Sequence, residues 1–115
     1  MTEADIKPLL KPLVGGQAYP YVVKLTAEGK PAVSPPWIVY SLPSEDSADV
    51  FCGTAETAVM VQVDVYADTV DEATAIRALA QEAIKPLAPA EMRAFKDYEP
   101  ATALYRASFE FRVWQ

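Results

Sequence analysis

Apolar and polar side chains alternate with a period of two along residues 58–67. Four valines occupy every second position, and the positions between them hold Met60, Gln62, Asp64 and Tyr66. Successive side chains of a β-strand point to opposite faces of its sheet, so this pattern predicts a half-buried strand. Its valine face packs, and its other face meets water or a partner.

A helical pattern follows this strand directly. Thr69 with Glu72 three residues later has the form of a capping box, and acidic side chains in a first turn suit the positive end of a helix. Apolar residues then recur at helical spacing, at Ala73, Ile76, Ala80, Ala83, Ile84 and Leu87. We therefore expect an amphipathic helix over 69–85 that packs on the valine face.

The C-terminal segment 104–114 alternates as clearly as the first strand. One face carries Tyr105, Ala107, Phe109, Phe111 and Val113, and the other carries Arg106, Ser108, Glu110, Arg112 and Trp114. The pattern predicts a second long strand with one packed face.

The remaining segments have weaker patterns. Residues 2–13 form an apolar stripe interrupted by prolines, which predicts a short or broken helix that ends at the glycines Gly15 and Gly16. Further strands are predicted at 17–23, at an edge because of Pro20, and at 37–40, 50–53 and 92–98. The segment 24–35 is expected to be a loop, 43–49 a polar turn, and 50–53 the hairpin partner of 58–67. Together these elements predict an α+β fold, with a mostly antiparallel β-sheet, one main helix packed on one face and a short N-terminal helix.

Length and composition fit a single domain over residues 1–115. A chain of this size buries roughly two thirds of its unfolded surface in one core, and its apolar share of 51% is ordinary for a globular protein. No apolar run approaches the about 18 residues of a membrane span, and the N-terminal segment lacks the features of a secretion signal. We expect the protein to stay in the cytosol where it is made.

Several kinds of chemistry are disfavoured by residue content. The chain has no histidine and a single cysteine, Cys52, which argues against histidine-dependent nucleophiles, histidine–metal sites and a disulfide framework. The carboxylates Asp64, Glu56 and Glu110 would suit a cation, but such residues are commonplace on a solvent-facing strand, and Cys52 is best interpreted as a small apolar filler. We therefore predict no catalytic residue, no metal site and no cofactor.

The non-valine faces of the two long strands are the best candidates for a binding surface. They mix both signs of charge with large aromatic groups, which are enriched where proteins bind each other. The predicted interface residues are Met60, Gln62, Asp64, Tyr66, Arg106, Glu110, Arg112 and Trp114. The alternatives are that the N-terminal helix covers this face or that it is simply solvated.

Several segments resemble, in order and spacing, a family of small tail-completion proteins of long-tailed bacteriophages and prophages. They are residues 14–20, 36–40, 61–67 and 98–100, followed by 104–114. The family is similar to the tail terminator of phage lambda. The chain departs from the pattern at Pro8 and Pro12, in the length of the loop 24–35, and at Ala103, where a turn glycine is often found.

The resemblance implies a structural role rather than an enzymatic one. The expected partners of the protein are further copies of itself in a hexameric ring, the tail tube protein and the head–tail connector protein. The expected location is the host bacterial cytoplasm during assembly and the virion tail afterwards. The net charge of −6 disfavours nonspecific binding to nucleic acid or to an anionic membrane and would let DNA traverse a channel without adhering. We predict no specific nucleic-acid binding and no membrane partner. Lysine in place of channel carboxylates would then slow DNA ejection, and an unchanged ejection rate would count against this idea. The alternative function is a small ligand-binding or regulatory α+β module that holds a metabolite between helix and sheet.

Overall fold

The computed structural model describes residues 1–47 and 57–114 and contains one five-stranded sheet with two α-helices. In chain order the elements are α1 (Glu3–Leu10), β1 (Ala18–Pro20), β2 (Trp37–Ser47), β3 (Thr57–Ala67), α2 (Val70–Ala83), β4 (Ala90–Glu99) and β5 (Leu104–Trp114). The strand order is β1-β2-β3-β5-β4, and every pair is antiparallel except β1 with β2. The predicted α+β fold is confirmed.

The alternating valines place β3 at the centre of the sheet. It pairs with β2 on one side and with β5 on the other. Val61, Val63 and Val65 are fully buried, together with Phe109 and Phe111 of β5, whose ring centroids are 5.8 Å apart. Each buried valine contributes about 1.5 kcal/mol or more relative to an exposed one, so this face supplies much of the core.

The main helix begins where its cap predicts. The backbone N–H of Glu72 donates to the Thr69 hydroxyl at 3.1 Å. Ala73, Ile76 and Ala80 are buried against β3 and β5, so the packing expected from the apolar stripe is confirmed. The helix then gives way to a 3₁₀ turn at Lys85–Leu87, since proline is tolerated in a first turn but not in a helix interior.

The N-terminal helix is short, as predicted, but it continues through Pro8, which lies inside it. The backbone N–H of Thr2 donates to the Asp5 carboxylate at 2.8 Å, and α1 passes into a 3₁₀ turn at Lys11–Val14. Gly15, with φ of 58°, ends this turn in the left-handed region that glycine readily adopts. Ile6 and Leu10 join the same core as α2, and both helices therefore cover the same face of the sheet.

Three predicted boundaries are wrong. The polar turn expected at 43–49 is strand as far as Ser47, because β2 continues to pair with β3 through a register shift between Ser41 and Ser44 that accommodates Pro43. The first strand was expected over 17–23, but β1 ends at Pro20 because Tyr21 adopts a positive φ of 66°. The strand β4 extends beyond both ends of the predicted 92–98.

Some predictions concern residues outside the described ranges. They are the strand at 50–53, the role of Cys52 and the position of Glu56. Among the residues that are described, no helix is long and apolar enough to cross a membrane.

Candidate functional site

One face of the sheet carries neither helix, and we call it the helix-free face. Cross-strand partners share a face, so the register of the sheet defines its members. It comprises Trp37, Val39 and Ser41 of β2, Met60, Gln62, Asp64 and Tyr66 of β3, Arg106, Ser108, Glu110, Arg112 and Trp114 of β5, and Arg93, Phe95 and Asp97 of β4. All eight predicted interface residues lie on this face. The alternative that the N-terminal helix covers it is wrong, because α1 packs on the opposite side.

An aromatic and ionic row crosses this face from β2 to β4. The rings of Trp37 and Tyr66 are stacked with centroids 5.5 Å apart, and the guanidinium carbon of Arg106 lies 5.9 Å from the centroid of Tyr66. Arg106 donates through Nε to Asp97 Oδ1 at 2.7 Å, and its Nη1 lies 3.8 Å from Glu99 Oε2. Arg106 thereby ties β5 to the edge strand β4.

The electrostatics of the row follow from these contacts. The hydrogen bond from Arg106 lowers the pKa of Asp97 and raises the pKa of Arg106 itself. Burial raises the pKa of Tyr66, although Arg106 donates to its hydroxyl at 3.3 Å. These groups stay in one protonation state at neutral pH, so the row orients side chains and holds no group poised for acid–base chemistry.

Two further rows lie beside the first one. Glu110 is opposite Gln62 on β3 and Arg93 on β4, with 3.9 Å between the Arg93 Nη1 and Glu110 Oε1 atoms. Arg112 is opposite Met60, and its Nε lies 2.8 Å from Glu91 Oε2. Glu110 and Arg112 are therefore each oriented partly by a charged side chain of β4.

The described carboxylates of this face are not gathered into a cluster. Asp64 lies opposite Ser108 and accepts from the Gln62 amide at 3.1 Å, while Glu110 is one cross-strand pair further along. Within the described residues no group of three or more potential ligands is placed to hold a metal ion.

Sequence reasoning missed the contribution of β4 to this face. The alternation in the predicted strand 92–98 puts Met92, Ala94, Lys96 and Tyr98 on one face, and the pattern is too mixed to assign a role to the residues between them. The turn after Glu99 joins β4 to β5 directly, and counting back from it would have aligned Asp97 with Arg106. The pairing of β4 with β5 was therefore predictable from the register of the hairpin and not from the hydrophobic pattern.

A groove of about 620 Å³ opens on the helix-free face. Its floor includes Trp37, Tyr66 and Arg106, and its walls come from the loop around 21–31 and the turn around 99–102. The ligand-binding alternative expected a groove between helix and sheet, but the side chains of α2 and β3 there belong to one continuous core.

Comparisons with known proteins agree with the fold. No curated protein matches the chain. A chain of the virion of a native gene transfer agent particle is similar in structure, with a TM-score of 0.57 and 21% sequence identity over 92% of this chain and 84% of that chain. At this identity the likeness concerns the fold alone. The sequence profile of the family described as tail completion protein gp17 matches residues 8–115, nearly the whole chain, and the protein belongs to that family of structural, non-enzymatic proteins.

Proposed function

We propose that the protein completes a phage-like tail by forming a closed ring of its own copies at the head-proximal end of the tail tube. The ring stops growth of the tube and presents a surface for joining the head. Family membership over residues 8–115 supports the role in tail completion. The hexameric form and the position of the ring come from the resemblance to the lambda tail terminator.

The observation that carries the proposal is the helix-free face. It combines Trp114, Met60 and three arginines in a sheet surface without a helix over it. Aromatic, methionine and arginine side chains are enriched in protein interfaces, and a surface held by internal ion pairs loses little side-chain entropy on binding. We assign this face to the docking of both the tail tube protein and the head–tail connector protein, which would lie on opposite sides of the ring.

The test compares two substitutions at equally exposed apolar positions. Trp114 on the helix-free face is 52% exposed, and Leu79 on the outer side of α2 is 54% exposed. We expect Trp114→Ser to weaken binding to the tail tube protein about tenfold or more, since interface aromatics often contribute 2 kcal/mol. Leu79→Ser should bind as the wild type does.

The measurement is the solution mass by light scattering across a concentration series, with and without the tail tube protein of the same particle. Tube lengths by electron microscopy provide the second readout. A ring-sized species or a chain that joins tube ends and limits tube length supports the proposal. The proposal is overturned if the protein stays monomeric at every concentration and does not bind the tube. The assigned face is overturned if both variants bind the tube equally well.

A further inference from the structure

The described sheet has two open edges at opposite ends. The strand β4 pairs only with β5, so its outer edge has no strand partner. At the other end, β1 covers β2 only over Ile38–Tyr40, and among the described strands the segment 44–47 of β2 pairs with β3 alone. Within the described residues, each copy therefore offers two different strand edges that have no strand partner on one side.

The edge strand β4 is long, exposed and charged, and α2 reaches it at one point, where Arg77 Nη1 donates to the Phe95 carbonyl at 3.1 Å. Proteins protect long edges with proline, charged side chains, β-bulges or a covering element, and charge on an edge restricts its pairing to an edge of opposite charge. The ten residues of β4 include no proline or glycine, and most are exposed on both faces. Its one irregularity is a register shift between Ala90 and Arg93 at the start of the strand, which leaves the segment 93–99 regular.

Among the described residues, ion pairs leave Lys96 as the one charged side chain of β4 without a partner. Glu91 pairs with Arg112 of β5, and Asp97 and Glu99 both lie against Arg106. Lys96 has no ion pair with any described residue. Its position opposite the buried Ala107 places it on the helix-bearing face.

The open segment of β2 carries the opposite charge on the same face. Glu45 is exposed and likewise lacks an ion pair among the described residues. It lies opposite Val59, a buried core residue, so it is also on the helix-bearing face. One edge thus presents a cation and the other an anion, both on the side of the helices.

We infer that neighbouring copies join edge to edge, with β4 of one copy pairing with the segment 44–47 of β2 of the next, Lys96 beside Glu45. The inference rests on the proposed ring and names its subunit contact. Rotation about a ring axis preserves strand sense, and β4 runs opposite to β2 within the sheet, so the new pair is antiparallel. Because the two edges differ, the contact is head-to-tail. Contacts of this type form a ring when the rotation between neighbouring copies closes.

Charge reversal tests the contact. Glu45→Lys and Lys96→Glu each place like charges side by side, and we expect each to weaken self-association about three- to twentyfold per contact. The double variant restores the opposite-charge pair with its sign inverted and should recover near wild-type assembly. A matched control is the double reversal Glu82→Lys and Lys85→Glu, an exposed pair 2.8 Å apart near the end of α2, which should leave assembly unchanged.

Self-association is measured by light scattering, alone and on tail tubes, with circular dichroism to confirm that each variant is folded. Weaker self-association of each single variant, together with near wild-type self-association of the double variant, supports the edge contact. If the wild type assembles and all variants match it, or if the folded double variant stays as weak as the singles, the edge contact is overturned while the proposed function stands. A wild type that neither self-associates nor binds the tube overturns the proposed function instead.

Cross-linking gives a readout that does not depend on charge. In a Cys52→Ser background, Glu45→Cys and Lys96→Cys chains are mixed and treated with a short bifunctional maleimide. We expect abundant dimers linked between positions 45 and 96, and a ladder up to the full ring when both cysteines are on one chain. Dimers no more abundant in the mixture than with either variant alone overturn the head-to-tail pairing.

Discussion

Arg106 is one of the side chains that link the edge strand β4 to β5, and the cost of its replacement by glutamine can be estimated from its contacts. The substitution removes the bidentate contact with Asp97, the contact with Glu99 and the cation–π contact with Tyr66. An exposed ion pair contributes at most about 1 kcal/mol and a cation–π contact about 0.5 to 1 kcal/mol. The side chains of Arg106 and Asp97 are 30% and 47% exposed, so solvent screens part of the ionic contribution.

We therefore expect Arg106→Gln to lower the free energy of unfolding by about 2 kcal/mol at neutral pH. The matched control is Arg93→Gln on the same face. The side chain of Arg93 is 75% exposed, reaches Glu110 only at 3.9 Å and lies 5.9 Å from the Phe95 ring centroid, so this change should cost about 1 kcal/mol or less. Urea unfolding followed by circular dichroism measures both values, and the dependence on urea should stay the same in both variants.

The pH dependence separates an ionic cause from lost packing. Arg106 lowers the pKa of Asp97 in the folded protein, so this contribution is complete above the unfolded value of about 3.9 and is lost as the pH falls through the folded value. The difference between wild type and Arg106→Gln should therefore shrink below about pH 4. Equal costs for the two arginine variants, or a difference that persists unchanged at pH 2, would refute the assigned role of Arg106.

Two further predictions concern the turns and the core. Ala103 has a positive φ of 56°, which costs a non-glycine residue about 1 to 2 kcal/mol, so Ala103→Gly should raise the free energy of unfolding by about 0.5 to 1 kcal/mol in thermal melts. Ala101→Gly in the same turn should give no gain, and a loss of stability for Ala103→Gly would contradict the turn geometry. Ile84 is fully buried and Leu79 is exposed, so Ile84→Ala should cost about 2 to 5 kcal/mol and Leu79→Ala less than about 0.5 kcal/mol in the same assay.

Strong periodicity made the central elements predictable. The alternation in β3 and β5 and the capped amphipathic pattern of α2 each report local burial, and the structure confirms all three. The departure of Ala103 from the family pattern also pointed to a real feature, because this residue occupies a conformation that glycine favours. These features were predictable from local sequence because each one reflects the burial or the backbone conformation of a single element.

Tertiary context decided what the sequence left open. Pro43 and its polar neighbours are typical of a turn, yet pairing with β3 extends β2 through them. The pattern of β4 is mixed because both of its faces are largely exposed, so no period of burial was present to be detected. Which face the N-terminal helix covers depends on the path of the chain in space, and Ile6 and Leu10 alone indicate only that the helix packs somewhere. The interface role of the eight predicted residues remains a prediction.

The two tryptophans occupy contrasting environments, so intrinsic tryptophan fluorescence can report on two different parts of the chain. Trp37 is 3% exposed and stacked on Tyr66 at the floor of the groove, whereas Trp114 is 52% exposed at the end of β5. No other tryptophan contributes to the emission of the chain. A partner that covers the end of β5 excludes water from the indole of Trp114 and shifts its emission to shorter wavelength, while a rearrangement of the loop over the groove changes the signal of Trp37. Single Trp→Phe variants separate the two signals, so docking and loop movement can be followed independently and in real time without an added dye.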